Sequence, residues 1–301
     1  MARIVYLGTP EAAVEPLRTL VAAGHDIAMV VSRPDKRRGR GSTLVPSPVK
    51  ATAVELCLPV TYNLPDALGC GAELGVVVAY GRIIPADALA RLPMVNLHFS
   101  QLPRWRGAAP VERAILAGDT TTGVCLMAVD VGLDTGAIYA EEDTPIDESE
   151  SVEDLRRRLV AIGSRLLERH LSDGLAGLPT PHPQVGEPTY AEKIRPEELQ
   201  LHWEQDAAHL RRVVHLGRAW TTFRGKRLRV LRAEPVPADD GVPDSAAAEG
   251  ASPGALHGEE VTAGEGTRLR LITVQPEGRQ PMPAGDWRRG VRPEPGERLG
   301  G

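Results

Sequence analysis

Ile4-Val5-Tyr6-Leu7-Gly8-Thr9-Pro10, followed by Pro16-Leu17-Arg18-Thr19-Leu20-Val21-Ala22-Ala23-Gly24 and then Ile27-Ala28-Met29-Val30-Val31, decides the fold of the first half of this chain. The two apolar runs carry no polar alternation, as expected for strands covered on both faces. Between them, Pro16 opens a helical spacing of Leu17, Leu20 and Val21 that stops at Gly24. Strand, helix and strand joined by short turns build a parallel sheet. The alternation continues outward. Ser47-Pro48 offers an N-cap and a first-turn proline for a helix through Leu56. Val60, Val76 to Ala79 and Met94 to Leu97 add short strands, with a helix led by Pro85 between the last two. A helix from Pro110 to Ala117 ends at Gly118, and strands near Val124 to Val129 and Ala137 to Tyr139 flank a loop rich in Asp and Gly. Ser151 with Asp154 resembles a capping box ahead of Leu155, Leu159, Ile162 and Leu166, which share one helix face. The expected first domain, residues 1–184, is a doubly wound, Rossmann-like parallel α/β sheet.

From Leu178 to Glu198 the text is rich in Pro, Glu and Thr and has no long apolar face, so a linker is expected over residues 185–204. Beyond it, a helix over Asp206 to His215 and strand-like runs at Arg227 to Leu231 and Arg268 to Val274 predict a small C-terminal β-barrel domain, OB-like, over residues 205–301. A long loop is expected between Val236 and Gly254.

Composition narrows the function classes. The 301 residues are 42% hydrophobic and 25% charged, ordinary for a folded chain, and 4% aromatic, so the core must be mainly Val, Leu, Ile and Ala. The longest apolar runs fall well short of the ~20 residues a membrane helix needs, and the N-terminal run is too short for a signal peptide, so a cytoplasmic protein is expected. Cys57, Cys70 and Cys125 lie far apart with no CxxC spacing, which disfavours disulfides and zinc; no metal is expected. GxGxxG is absent after the first strand and no P-loop occurs, which argues against dinucleotide or ATP chemistry. The net charge is -5, yet Arg33 to Lys50 carries +5, and Arg211 to Arg232 holds eight basic residues and no acid. Two local basic surfaces on an acidic chain suit a polyanion such as RNA.

The chemistry concentrates in Asn96-Leu97-His98-Phe99-Ser100-Gln101-Leu102-Pro103-Arg104-Trp105-Arg106-Gly107. Asn96 and His98, two apart at a strand end, fall on one face, where an amide and an imidazole can both donate to an oxygen gaining negative charge. Asp134, framed by Gly132 and Gly136 in the loop 130–136, supplies a carboxylate that can favour a cationic imidazole or collect a proton from an attacking amine. Asn96, His98 and Asp134 are therefore the candidate catalytic set for acyl transfer.

These stretches, together with Leu7-Gly8-Thr9-Pro10, Gly39-Arg40-Gly41 through Lys50, Val78-Ala79-Tyr80-Gly81 and Thr189-Tyr190-Ala191-Glu192-Lys193-Ile194, resemble the methionyl-tRNA formyltransferase family along the whole length. The first domain also resembles the wider class of 10-formyltetrahydrofolate-dependent formyltransferases. The resemblance implies transfer of a formyl group from 10-formyltetrahydrofolate to the α-amino group of methionyl initiator tRNA. It puts Asn96, His98 and Asp134 on the family's catalytic positions. It puts Ser100, Gln101, Leu102 and Pro103, with Tyr80, Gly81 and Ile83, around the folate. It puts Arg38 and Arg40 in a tRNA-gripping insertion, and Arg224, Lys226 and Arg227 in a C-terminal tRNA-binding domain. A monomer is expected. The chain departs from the family in a shorter stretch between Val60 and Val76, in missing residues after Gly217, and in Gln101, where Leu is usual. A folate-dependent transferase acting on a sugar nucleotide or glycinamide ribonucleotide, and a non-catalytic tRNA-binding relative, are the alternatives.

Overall fold

The computed structural model describes residues 1–37, 44–237 and 252–301, and these fall into two compact units. The first gathers Met1–Arg113, Thr120–Ile146 and Asp154–Glu192; the second gathers Ala114–Asp119, Asp147–Glu153 and Lys193–Gly301.

The first unit is built on strands β1 (Arg3–Gly8), β2 (Asp26–Val31), β3 (Lys36–Arg37), β4 (Leu44–Val45), β5 (Val60–Thr61), β6 (Leu74–Val78), β7 (Met94–His98), β8 (Arg106–Gly107), β9 (Thr121–Ala128), β10 (Ile138–Pro145) and β11 (Tyr190–Ala191). Its helices are α1 (Val14–Ala22), α2 (Pro48–Glu55), α3 (Leu64–Ala67), α4 (Ala86–Arg91), α5 (Pro110–Ala117) and α6 (Val152–Leu171), of which α5 and α6 each give one end to the second unit. The main sheet runs β10-β9-β7-β6-β1-β2-β5. Ile4 to Leu7 are fully buried and every residue of β6 is buried, as strands covered on both faces require. Ser47 caps α2 by accepting the Lys50 N–H at 3.1 Å, with Pro48 in the first turn. The shortened stretch after Val60 still carries one turn of helix, α3, on its way to β6.

Five neighbouring strands, β5, β2, β1, β6 and β7, are mutually parallel, whereas β9 and β10 join antiparallel, so the expected parallel sheet is a mixed one. β10 also extends to Pro145, well past the expected Tyr139. Its outer half reads Glu141-Glu142-Asp143-Thr144, a polar edge with no apolar run to announce it.

The second unit comprises α7 (Ala207–His215), β12 (Trp220–Phe223), β13 (Lys226–Pro235), β14 (Leu256–His257), β15 (Glu260–Thr262), β16 (Arg268–Pro276), β17 (Met282–Pro283) and α8 (Ala284–Val291). All strand pairings are antiparallel, in the order β12-β13-β16-β15-β14 with β17 also on β16. β13 bends at two register shifts between Val230 and Ala233, which lets one long strand wrap a small core. Leu201, Trp203, Leu210, Val230, Leu271 and Trp287 lie in that core. The Phe223 and Trp287 rings meet edge to face at 5.2 Å and 79°, an arrangement worth about 0.5–1.5 kcal/mol beyond area burial. The short strands β12, β14, β15 and β17 and the helix α8 gave no periodic signal long enough to read. Most of the expected loop from Val236 to Gly254 lies outside the described residues.

Candidate active site

Alternation along β7 sends Leu97 toward α6, where a Cβ on Gly163 would lie 3.0 Å from Leu97 Cδ1, and sends Asn96 and His98 to the other face. His98 ends the strand, opposite Cys125 of β9, and is 5% exposed. Its Nε2 donates to the Trp105 carbonyl at 2.8 Å, which fixes the ring and leaves Nδ1 turned to the site. Asp134 Oδ2 stands 3.6 Å from that Nδ1, within ion-pair reach but beyond a hydrogen bond. The same Oδ2 accepts the Gly107 N–H at 2.8 Å, a charge-assisted bond that pins the carboxylate. Asn96 is partly exposed, and among the described residues its side-chain amide makes no hydrogen bond. An open amide donor thus lies two residues from an anchored imidazole that faces a carboxylate.

Asp134 reaches this place by an indirect route. β9 runs antiparallel to β7, and the N–H of Val129, just past its end, donates to the Met94 carbonyl at 2.8 Å. The loop after β9 therefore starts at the opposite end of β7 from His98 and climbs back over the sheet face. Gly136 permits the return, since a Cβ there would sit 2.0 Å from the Ala128 carbonyl oxygen. Asp134 itself holds φ +50°, uncommon for a residue with a side chain. On the other side, β8 pairs with β11, and Gly107 has φ +121° with no room for a Cβ, which would lie 2.9 Å from the Ala191 carbonyl oxygen. Behind His98, burial pushes the Cys125 thiol up to about 12, so it stays a neutral donor to the Ser100 carbonyl. Among the described residues no group of three or more His, Cys, Asp and Glu lies close enough to hold a metal ion.

The residues expected at the folate divide by exposure. Ser100, Leu102 and Pro103 are buried; the Ser100 hydroxyl donates to the Arg104 carbonyl at 2.6 Å, and Leu102 packs with Cys125, Met127 and Ile138. These three build the turn, and Gln101 is the partly exposed side chain among the four. Tyr80 is 3% exposed and its ring belongs to the core with Val5, Leu7 and Ile84, so the surface of that loop falls to Gly81 and to Ile83, which is 85% exposed. Val131 and Leu133, on the loop that carries Asp134, are also uncovered apolar side chains.

Arg38 and Arg40 lie outside the described residues. Arg224 makes a two-pronged ion pair with Glu297 at 2.7 and 2.6 Å, which holds the guanidinium above its ordinary pKa and Glu297 down to about 2. Its charge is matched within the protein. Lys226 and Arg227 are exposed, and Arg227 stacks on Trp220 at 4.3 Å. A cavity of about 510 Å³ in this second unit is lined by Arg218, Arg227 and Arg229, two of which were not singled out from sequence.

Sequence reasoning gave no site role to Gln184 or Thr189, because the text from Leu178 to Glu198 is rich in Pro, Glu and Thr with no long apolar face. Gln184 is bonded to Asp134, Gly136 and Arg106, and Thr189 Oγ1 accepts the Trp105 N–H at 2.9 Å. The signal available was Thr189-Tyr190-Ala191 itself, a family-like stretch in a segment otherwise treated as a spacer.

Comparison with known proteins places the chain among formyl transferases. The family described as Formyl transferase matches residues 2–171, and Formyl transferase, C-terminal domain, matches residues 193–292. The methionyl-tRNA formyltransferase of Acidothermus cellulolyticus is 40% identical over 322 residues, covering 99% of both chains. That of Jannaschia sp. is 41% identical over 310 residues, covering 98% of both. Among solved structures, the N-formyltransferase from Helicobacter canadensis with folinic acid and dTDP-3-aminofucose superposes with TM-score 0.69 at 15% identity, covering 90% of this chain and 99% of that one. The likeness at that identity is one of fold.

Proposed function

The chain belongs to the methionyl-tRNA formyltransferase family, and on that footing we propose that Asn96, His98 and Asp134 are the groups with which it works. It transfers the formyl group of 10-formyltetrahydrofolate to the α-amino group of methionyl initiator tRNA. The donor supplies an activated formyl carbon, and the residues present fit such a ligand: the amide of Asn96 is open, and Ile83, Val131 and Leu133 leave apolar surface that a flat ring can cover. The observation that carries the assignment is the open Asn96 amide beside an imidazole whose Nδ1 faces Asp134 at 3.6 Å.

An α-amine has an ordinary pKa of about 7.7–8.0, so a useful fraction is neutral and nucleophilic near neutrality. When its nitrogen bonds to the formyl carbon, the formyl oxygen gains negative charge; Asn96 donates to it from one side and His98 Nδ1–H from the other. His98 can do so only as the cation, because Nε2–H is already committed to Trp105. Asp134 balances that cation. Oδ2 is committed to Gly107, which leaves Oδ1 to take the proton that the attacking nitrogen must lose. The carbon–nitrogen bond to the folate then breaks, its electron pair stays on the folate nitrogen, and that nitrogen takes the proton Oδ1 had collected, which returns Asp134 to its carboxylate form.

In the second unit, Lys226, Arg227, Arg218 and Arg229 neutralise backbone phosphates of the tRNA, with Arg224 contributing least. We place the division of the chain between Glu192 and Lys193, inside the stretch 185–204 expected as a linker, because Tyr190–Ala191 pairs with β8 while Leu201 and Trp203 already lie in the core of the second unit. We take the protein to act as a monomer and to meet its charged tRNA in the cytoplasm. An acceptor as small as a sugar nucleotide is not favoured, since the relatives that match over both units carry the tRNA-directed name. Incubation with 10-formyltetrahydrofolate and charged initiator tRNA should yield formylmethionine on the tRNA. Formylation of a nucleotide-linked amine and not of the tRNA would overturn the assignment.

A further inference from the structure

The segment between His182 and Ala191 straps the two catalytic loops together. His182 exchanges backbone hydrogen bonds with Ile138 at 2.8 and 2.9 Å, just past the loop of Asp134. Gln184, half-buried, follows. Its Nε2 donates to the carbonyls of Asp134 at 2.8 Å and Gly136 at 2.9 Å, while its Oε1 accepts from Arg106 Nε at 3.1 Å and Nη2 at 2.7 Å. Both hydrogens and both lone pairs of the amide are used. The reverse orientation would set oxygen against two carbonyls and NH2 against a guanidinium, so the network itself fixes the flip. Further along, Thr189 Oγ1 accepts the N–H of Trp105, whose carbonyl holds His98, and the Thr189 carbonyl accepts the Arg106 N–H at 2.9 Å. Asp134 at φ +50° and Trp105 at φ +63°, both side-chain-bearing residues at positive φ, are thus each gripped by one member of the strap. Conformations of that kind persist only where the surroundings over-determine them.

We propose that Gln184 is a positioning residue for formyl transfer: its amide clamps the backbone on both sides of Thr135, fixing the Asp134 carboxylate against His98 and Gly107, and ties that loop through Arg106 to the one that anchors His98. It touches no reacting atom. The inference rests on the assignment of Asp134 to the chemical step.

Two variants of the full chain separate this role from a purely structural one. Gln184→Met removes both ends of the clamp at similar volume. Gln184→Glu keeps the oxygen that meets Arg106 and loses the two donors to the Asp134 loop. A clamp that fixes Asp134 predicts a fall in kcat of roughly 10- to 100-fold in both variants, since about 1 Å of misplacement can remove 10²-fold. KM for the formyl donor and for charged tRNA should stay within about threefold. Hydrogen exchange at the Gly107 amide, whose partner is the Asp134 carboxylate, should quicken by about tenfold in both, on the order expected when one local constraint is removed. A Glu variant with kcat within about twofold of wild type would overturn the proposal, leaving only an anchor for Arg106. So would an unchanged Gly107 exchange rate. The exchange measurement needs no substrate; wild-type protein inactive on charged tRNA would sink the functional assignment while the clamp stayed measurable.

Discussion

Replacing Asp134 with Asn tests the centre of the site, because the change is almost isosteric and removes one charge. Asp134 Oδ2 lies 3.6 Å from His98 Nδ1, and the two side chains are 17% and 6% exposed. At that separation two unit charges attract by about 4–5 kcal/mol with an effective dielectric of ~20. If about half of this is realised only when negative charge develops on the formyl oxygen, the barrier rises by ~2–2.5 kcal/mol, or about 30- to 70-fold in rate. Loss of the proton acceptor adds to that, since a positioned general base is typically worth ~10²-fold or more. We therefore expect kcat to fall by at least ~10²-fold, with KM for the folate donor little changed. Folding should suffer much less. An Asn oxygen can still accept the Gly107 N–H, so only the charge assistance of that 2.8 Å bond is lost, about 1 kcal/mol. The assay is single-turnover formylation of charged initiator tRNA alongside urea denaturation of the same preparation. A kcat within about threefold of wild type would refute the reasoning, as would a stability loss large enough by itself to explain the missing activity.

Four other outcomes follow. His98→Ala should lower kcat by ~10²- to 10³-fold and spare folate affinity, as expected when a donor acts on charge present only in the transition state; near-normal kcat would remove His98 from the mechanism. Alanine at Lys226, Arg227 and Arg229 should raise the tRNA Kd at low salt and flatten log K against log salt by about one unit of slope for each phosphate no longer neutralised, whereas Arg224→Ala should change the slope least because Glu297 already matches its charge. Equal slopes in all variants would take the second unit out of RNA binding. Iodoacetamide at pH 8 should label exposed Cys57 in the native protein and reach Cys125 only on unfolding, because burial holds that thiol near 12; labelling of Cys125 at the rate of Cys57, read by mass spectrometry, would contradict its placement. Burial, reinforced by Arg211, pushes the His215 imidazole below its ordinary pKa, so the unfolded chain binds a proton near pH 6.5 that the folded chain refuses; stability present above that pH is lost as pH falls through it. His215→Gln should flatten the fall in urea midpoint between pH 7.5 and 5.5, and an identical fall would discard this linkage.

The elements that bury themselves on two faces were legible from sequence alone. Ile4 to Leu7, Ile27 to Val31 and Leu74 to Val78 carry enough consecutive apolar side chains to be strands in any compact fold, and Ser47-Pro48 and Gly118 mark helix ends by backbone chemistry that needs no partner. Asn96 and His98 were legible for the same reason, since a two-residue spacing on a strand fixes a shared face. The second half of β10 was not, because a polar edge strand is held by its hydrogen bonds to β9 and not by side-chain burial. Asp134 could be nominated from its glycine frame but not positioned: the strand before it turned out antiparallel, and only the return of the loop across the sheet face brings the carboxylate to His98. The roles of Gln184 and Thr189 were not legible, for a deeper reason. Their roles consist of hydrogen bonds to backbone atoms 48 to 84 residues away, and composition, periodicity and motif spacing report only what a residue does with its near neighbours.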